Sequence, residues 1–562
     1  MSITAWETIQ WTKVERRVLR YQTRIYKATK DKNKRKIRCI QKSLLASLDA
    51  KLLAVRKVTT ENRACVSGLI SYHDTSIEPG VDEKLYLTNP KKVKLVKNLR
   101  LNGSSVSFRN TEHSSSLRDE RGSSLPIKRV YIPKPGKAAK RPLGIPTIKD
   151  RAKQALCKLA IEPEWEARFE NNSYGFRPGR STHDAIEAIQ TNLRNHRGKK
   201  DYYKYILDAD ITKCFDRINH DYLLEKLDTL PEIKTQLKAW LKAGIMEELQ
   251  TNINLNTVPP NTIGTPRYSR FAPIGIEQGG VISPLLANIA LHGMENHMKE
   301  WICSKTWVSN TNRISKDSKR KSLAIIRYAD DFVIIHENER IIEEAKEEIT
   351  QWLKDGPQLE LNETKTSIKN SNEGFNFLGF SCITIRRGNI NRLKIYPSKD
   401  SQKRLLLKVR TIIQKNKSAS TYRLIYQLNP LIIGWANYFK YSECSYVFSK
   451  QSHLIHQKLR AWCFRRDTRN GRQTIKENYF PSGKTYTFDG TKHADNWVLA
   501  GKEKDKKGIQ KENHLPQMLW VKSKKWIKIK GDASPYNGDN VYWAKRTMNL
   551  SGLIYYQGPL VP

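Results

Sequence analysis

At 562 residues the chain exceeds what one hydrophobic core supports, so several domains are expected. Lys and Arg outnumber Asp and Glu by 100 to 56, a formal charge of +44 that repels itself unless a polyanion relieves it; nucleic acid is the expected partner. Membrane, secreted and zinc-module classes are disfavoured: no run approaches the ~20 apolar residues that span a bilayer, the start lacks a signal peptide, and the eight cysteines show no Cys-x-x-Cys pair.

Residues 1–60 alternate basic and apolar positions at helical spacing, with Val14, Val18, Tyr21 and Ile25 between Arg16, Arg17, Arg20 and Arg24. That pattern predicts a basic helical extension over 1–75 with a core stripe and a charged face. A turn signal follows at Pro79-Gly80-Val81-Asp82, and the Ser-, Arg- and Asn-rich stretch 101–124 reads as a flexible insertion. From 126 to about 395, short β-branched runs alternate with helical patterns, interrupted by a second polar insertion near 302–322. From Ser398 the pattern is helical again. Leu405, Val409 and Ile412 share one face, and Ile455, Leu459 and Trp462 repeat the arrangement beside Arg460, Arg465 and Arg466. Residues 501–513 read as a charged linker, and the Trp/Tyr-rich end carries a turn signal at Ser534-Pro535-Tyr536-Asn537-Gly538.

Two segments carry acids inside apolar strand patterns. One is Tyr205-Ile206-Leu207-Asp208-Ala209-Asp210-Ile211, followed by Cys214-Phe215-Asp216; the other is Ile325-Ile326-Arg327-Tyr328-Ala329-Asp330-Asp331-Phe332-Val333, as at the tip of a tight hairpin. Adjacent like charges between core strands are costly, and a divalent cation offsets them. Oxygen ligands suit Mg²⁺, which completes its shell with waters and substrate phosphates and serves in-line phosphoryl displacement.

On these residues the chain resembles reverse transcriptases. Tyr328-Ala329-Asp330-Asp331 resembles their active-site hairpin and Asp210-Ile211 with Phe215-Asp216 their first acidic motif. The resemblance implies Mg²⁺ as cofactor, a metal set of Asp210, Ile211, Asp330 and Asp331, and Phe215 as the aromatic that blocks a ribose 2′-hydroxyl. Further motifs narrow it to group II intron proteins. Arg129 to Lys134, then Lys140-Arg141-Pro142-Leu143-Gly144-Ile145-Pro146, resembles their fingers signature; Lys134 and Arg141 would meet a triphosphate on a hairpin bounded by Pro and Gly. Asn172 to Ala185 resembles the motif beside the template strand, with Arg177 and Arg180 as RNA contacts. Gln278-Gly279-Gly280 resembles the loop where backbone approaches nucleotide and template, although Gly275-Ile276-Glu277 stands where the family usually has Gly-Thr-Pro. Leu361-Asn362-x-x-Lys365-Thr366 makes Lys365 the candidate general acid for pyrophosphate, alongside the catalytic Asp210, Asp330 and Asp331. Gly374-Phe375-x-Phe377-Leu378-Gly379-Phe380 matches the primer grip.

Leu428-Asn429-Pro430 and Gly434-Trp435-Ala436-Asn437-Tyr438-Phe439 resemble the maturase thumb, domain X, in which Arg460, Arg465 and Arg466 would hold intron RNA. The implied fold is α+β, a right-hand polymerase: fingers and palm with an antiparallel active-site sheet over 76–395, a helical thumb over 396–480, and a small basic DNA-binding region over 481–562. The Cys and His pairs of a His-Asn-His nuclease are not found after Cys463, so no endonuclease is expected. The implied function is an RNA-directed DNA polymerase and splicing maturase, with intron RNA, a DNA target and primer, and dNTPs as partners. A polymerase-inactive RNA-binding splicing factor and another reverse transcriptase type are the alternatives; the intact acids oppose the first, and the long thumb and aromatic tail the second. Lys-, Ile- and Asn-rich composition suits an AT-rich organelle genome such as a plastid's, and a bacterial cytoplasm fits equally; the oligomeric state stays open, a dimer included.

Overall fold

The structure, a computed structural model, describes residues 6–60, 79–101, 124–133, 140–194, 203–248, 268–271, 275–276, 278–305, 308–309, 312–313, 315–387, 390–504 and 508–549. The basic N-terminal segment forms helices Trp11–Lys30, Lys34–Ala46 and Leu48–Thr59. Their apolar stripes (Val14, Val18, Ile25, Ile37, Ile40, Leu44) are buried in one core with Leu156, Ala160 and Trp165 of helix Ile148–Glu166. Polar contacts pin the same seam: Gln22 donates to the Leu159 carbonyl at 3.2 Å, and Arg38 pairs with the buried Glu164 at 2.9 Å. The segment expected as an extension therefore shares its core with the unit that follows.

The central sheet is antiparallel, ordered Ser367–Asn370, Tyr205–Asp210, Asp331–His336, Ala324–Tyr328. Its two-residue period sorts the side chains. Leu207, Phe332, Ile334 and Ile325 enter the core beneath, with the helices Ser283–Ala290 and Glu339–Asp355. Ile206, Val333, Ile335 and Ile326 enter a second core on the other face, shared with helix Thr182–Leu193 and the aromatic hairpin Phe375, Phe377 and Phe380. Asp210 lies opposite Asp331, Asp208 opposite Val333 and Ile206 opposite Ile335, so all three acids project on the second face, with Asp210 and Asp331 at its mouth. Strands Ile127–Pro133 and Lys140–Ile145 pair antiparallel in a separate sheet, with Arg141 opposite Ile132.

After Ser398, which caps helix Lys399–Lys415, come helices Thr421–Phe439, Ser445–Arg466 and Arg472–Tyr479. Their apolar faces extend the second core. One expectation is corrected. Residues 501–513 are no linker: Ala500–Lys504 and Gln510–His514 pair as a hairpin. Gly501 lies so close to helix Thr421–Phe439 that a Cβ would stand 2.6 Å from the Tyr422 nitrogen, and Lys502 pairs across the strands with Glu512 at 2.6 Å. Ion pairing on an exposed ladder gives the composition of a linker. Within the polar stretch 302–322, helix Met294–Ser304 runs into its start and Lys316–Ser322 is helical. Most of 101–124 lies outside the described residues.

The C-terminal segment is sewn onto helix Thr182–Leu193 through one carboxylate. Asp184, fully buried, accepts from Trp526 Nε1 at 2.9 Å, from the Ile529 amide at 2.8 Å and from Arg546 through both oxygens at 2.9 Å. His183 stacks on Trp526 with centroids 4.6 Å apart, and Tyr536 reaches Glu162 at 2.8 Å. Among the described residues no helix is long and apolar enough to cross a membrane.

Candidate active site

Tyr328 and Asp331 face each other at the end of the hairpin, and Ala329-Asp330 makes the turn. Ala329 is left-handed at φ 60°, a strained state for a residue with a Cβ. Burial, then the charges of Asp330 and Asp210, pushes the Asp331 carboxyl up to about 8; burial also raises Asp330, whose charge Arg141 and Lys365 favour. The acids are thus crowded and desolvated, which is the chemistry a divalent cation relieves. Among the described residues no three His, Cys, Asp or Glu side chains converge closely enough to hold a metal ion by themselves. Asp210 and Asp331 face each other across the strands, and a carboxylate pair of this kind could take a hard divalent cation whose shell is completed by waters and substrate phosphates.

Lys365 forms an ion pair with Asp210. The loop that carries it is clipped to the strand: Asn362 donates its amide to the Asp210 carbonyl at 2.8 Å, Thr212 to Glu360 at 2.9 Å, and Ile211 bridges Leu361. Ile211 itself is buried, and its side chain enters the lower core. Phe215 is half-buried and meets the exposed ring of Phe176 edge-on, centroids 6.3 Å apart. Ile276 donates to the Phe215 carbonyl at 2.6 Å, and a Cβ on Gly275 would stand 2.2 Å from Asp216, so this loop is stitched beneath the aromatic. Half-buried Gln278 accepts from the Gly144 amide at 2.6 Å, and Gly279, at φ +125°, has no room for a Cβ beside the Gly144 carbonyl. That contact joins the Gln278-Gly279-Gly280 loop to the strand carrying Arg141, which is exposed. Lys134 and Glu277 lie outside the described residues.

Two of the expected RNA contacts turn inward. Arg177 is buried, forks onto Glu166 at 2.9 and 3.0 Å, and donates to the carbonyls of Glu170 and Ser173. Arg180 donates to Asn171 and Gly531 carbonyls at 2.7 Å. Arg177 is thus spent on bracing the loop from inside, and Arg180 ties the loop to the C-terminal segment. Arg460, Arg465 and Arg466 are exposed on helix Ser445–Arg466, with Arg466 lying over Trp462 and Arg460 over Phe464. Buried Arg327, just ahead of the acids, was read only as part of the strand; its bonds to Ser173, Asn288 and Ala329 show otherwise.

Three family models match: the N-terminal domain of reverse transcriptase over 6–99, reverse transcriptase (RNA-dependent DNA polymerase) over 132–382, and the group II intron maturase-specific domain over 402–480. Protein YkfC of Escherichia coli is 34% identical over 294 residues, which cover 48% of this chain and 71% of that protein. The chain belongs to the group II intron reverse transcriptase and maturase family. Group II intron-encoded protein LtrA of Lactococcus lactis is 28% identical over 324 residues, 49% of this chain and 50% of LtrA. The chain thus spans about half the length of that relative. Maturase-like protein 1 of Euglena gracilis is 26% identical over 442 residues, covering 78% of this chain and 79% of the relative. The reverse transcriptase match takes in Asp210, Asp330, Asp331, Phe215 and Lys365, and the maturase match takes in Arg460, Arg465 and Arg466. The right-hand polymerase layout follows from the family.

Proposed function

We propose that this chain is an RNA-directed DNA polymerase that binds a group II intron RNA, promotes its splicing and copies it into DNA. The carrying observation is the desolvated pair Asp330 and Asp331 beside Asp210, which pairs with Lys365, placed before a basic helical unit that matches the maturase-specific domain. Asp210, Asp330, Asp331 and the backbone at Ile211 would hold Mg²⁺. When bound, the cation supplies charge stabilisation for an in-line attack by a primer 3′-hydroxyl on the α-phosphate. Arg141 stands exposed on the neighbouring strand with its charge felt at Asp330, where it can fork onto triphosphate oxygens; Lys134 would join it. Phe215, held from below by Ile276, walls off the ribose 2′ position. Lys365 leaves Asp210 to give a proton to the departing pyrophosphate.

Residues 396–480 act as the thumb, gripping duplex and intron RNA through backbone charge, and 481–562 is the small basic region that meets DNA. Bacterial and Euglena relatives leave the compartment open; the AT-rich-style composition favours an organelle, chloroplast first.

Two variants measured in two assays test the proposal. Asp330→Ala removes a charge that acts on the transition state and is expected to raise the barrier by at least ~4 kcal/mol in primer extension. The same variant should still promote splicing at moderate salt, because RNA grip is spread over many basic groups. Neutralising Arg460, Arg465 and Arg466 together should impair splicing and spare extension of an annealed primer. Near-normal synthesis by Asp330→Ala, or loss of splicing by that variant while folded, would refute the respective half.

A further inference from the structure

We propose that Arg327 is the positioning residue of the catalytic turn: its guanidinium locks the backbone that aims Asp330 and Asp331 and ties it to the loop bearing Phe176. The inference rests on the polymerase reading of this site. Arg327 is only 3% exposed and points from the face of the hairpin opposite to Tyr328 and Asp331. Nη1 donates to the Ala329 carbonyl at 3.1 Å and to Asn288 Oδ1 at 3.0 Å, while Nη2 donates to Ser173 Oγ at 2.8 Å. One planar group therefore binds three elements: the turn, the helix opened by Gln278-Gly279-Gly280, and the loop that begins at Asn172.

The backbone closes the same circuit. Arg327 donates its amide to the Asn172 carbonyl and accepts from Tyr174, both at 2.9 Å, and Asn288 Nδ2 donates to the Gly175 carbonyl at 2.8 Å. Gly175 then presses on the turn, where an added Cβ would stand 2.4 Å from the Ala329 nitrogen. The next residue, Phe176, is exposed and left-handed at φ 59°, edge-on to Phe215. Strained backbone at Ala329 and at Phe176 is held from one buried fork, as expected where geometry is stored for function. Lys in place of Arg keeps the charge but offers a point donor that cannot span the three acceptors.

The test compares Arg327→Lys and Ser173→Ala, the second deleting a single acceptor, with wild type. Expected for Arg327→Lys is a kcat drop of about 100-fold, the cost of roughly 1 Å misplacement at the reacting centre, with dNTP KM little changed. Its Mn²⁺ Kd on a dideoxy-terminated primer–template, read by electron paramagnetic resonance, should rise. Ser173→Ala should move both readouts in the same direction by less, with Tm and intron RNA affinity retained in both variants. Unchanged kcat and Mn²⁺ Kd would overturn the inference, as would parallel loss of Tm and RNA affinity in Ser173→Ala. If Arg327→Lys does not fold, Ser173→Ala decides alone. Absence of dNTP incorporation by wild type would instead refute the polymerase reading.

Discussion

Asp184→Ala should loosen the whole C-terminal segment, at a cost that can be worked from its partners. The side chains of Asp184 and Arg546 are 0% and 4% exposed, and removing one member of so buried a pair costs about 3–5 kcal/mol, because the other charge stays desolvated. Trp526 Nε1 and the Ile529 amide would lose their acceptor too, each such orphan costing roughly 1–3 kcal/mol, not additively. The capping box with Ser181 would also open, costing about 1 kcal/mol. Against a typical total stability of about 5–15 kcal/mol, the loss is large. Urea unfolding measures it, and limited proteolysis should cut between 526 and 546 first. Arg546→Met combined with the same Asp184→Ala removes both charges, and should recover about 2 kcal/mol or more relative to the sum of the two single variants, since the orphaned charge is then gone. A change below about 1 kcal/mol for Asp184→Ala, or no coupling in the cycle, would refute the view that this carboxylate holds the segment.

Two further outcomes concern the site. Phe215→Val should open space for a 2′-hydroxyl and lower dNTP-over-rNTP selectivity by at least about 10-fold; unchanged selectivity in primer extension would make the ring a packing residue only. The second is a pH dependence. Burial and the neighbouring acids raise Asp331 to about 8, so the folded metal-free protein holds a proton that the unfolded chain releases near its ordinary value of about 4. Stability of the metal-free fold from this group therefore falls as pH rises from about 4 to about 8. Mg²⁺ must displace that proton, so the half-saturating Mg²⁺ concentration should fall, by up to about tenfold per pH unit, as pH rises towards 8. A flat Mg²⁺ requirement between pH 6.5 and 8.5 would refute the linkage.

The site was legible where chemistry interrupts a simple period. Carboxylates at 210, 330 and 331 stand out because apolar strand residues flank them, and the structure places them at one hairpin mouth. Direction was not legible where a pattern has two solutions. Arg177 lies between Phe176 and Pro178 whether it faces phosphate or Glu166, and Glu166 sits in a helix with no signature of its own. Arg180 likewise meets Gly531, a partner 351 positions away. The hairpin over 500–514 escaped because its charges pair across strands and mimic a solvated linker. Arg327 escaped because burial of a charge inside an apolar run appears only once Ser173 and Asn288 are brought to it.

The bonds from Trp526 and Arg546 to Asp184 also set a clock on synthesis. Their partners lie 342 and 362 positions apart along the chain. At about 5–20 residues per second, a ribosome leaves Asp184 without them for roughly 20–70 s. Through that interval the helix Thr182–Leu193 presents an unpaired acid and bare apolar surface where Trp526 will lie. These contacts of long sequence separation can form only once residues 526–546 have been made, so this part of the core closes after the local helix does.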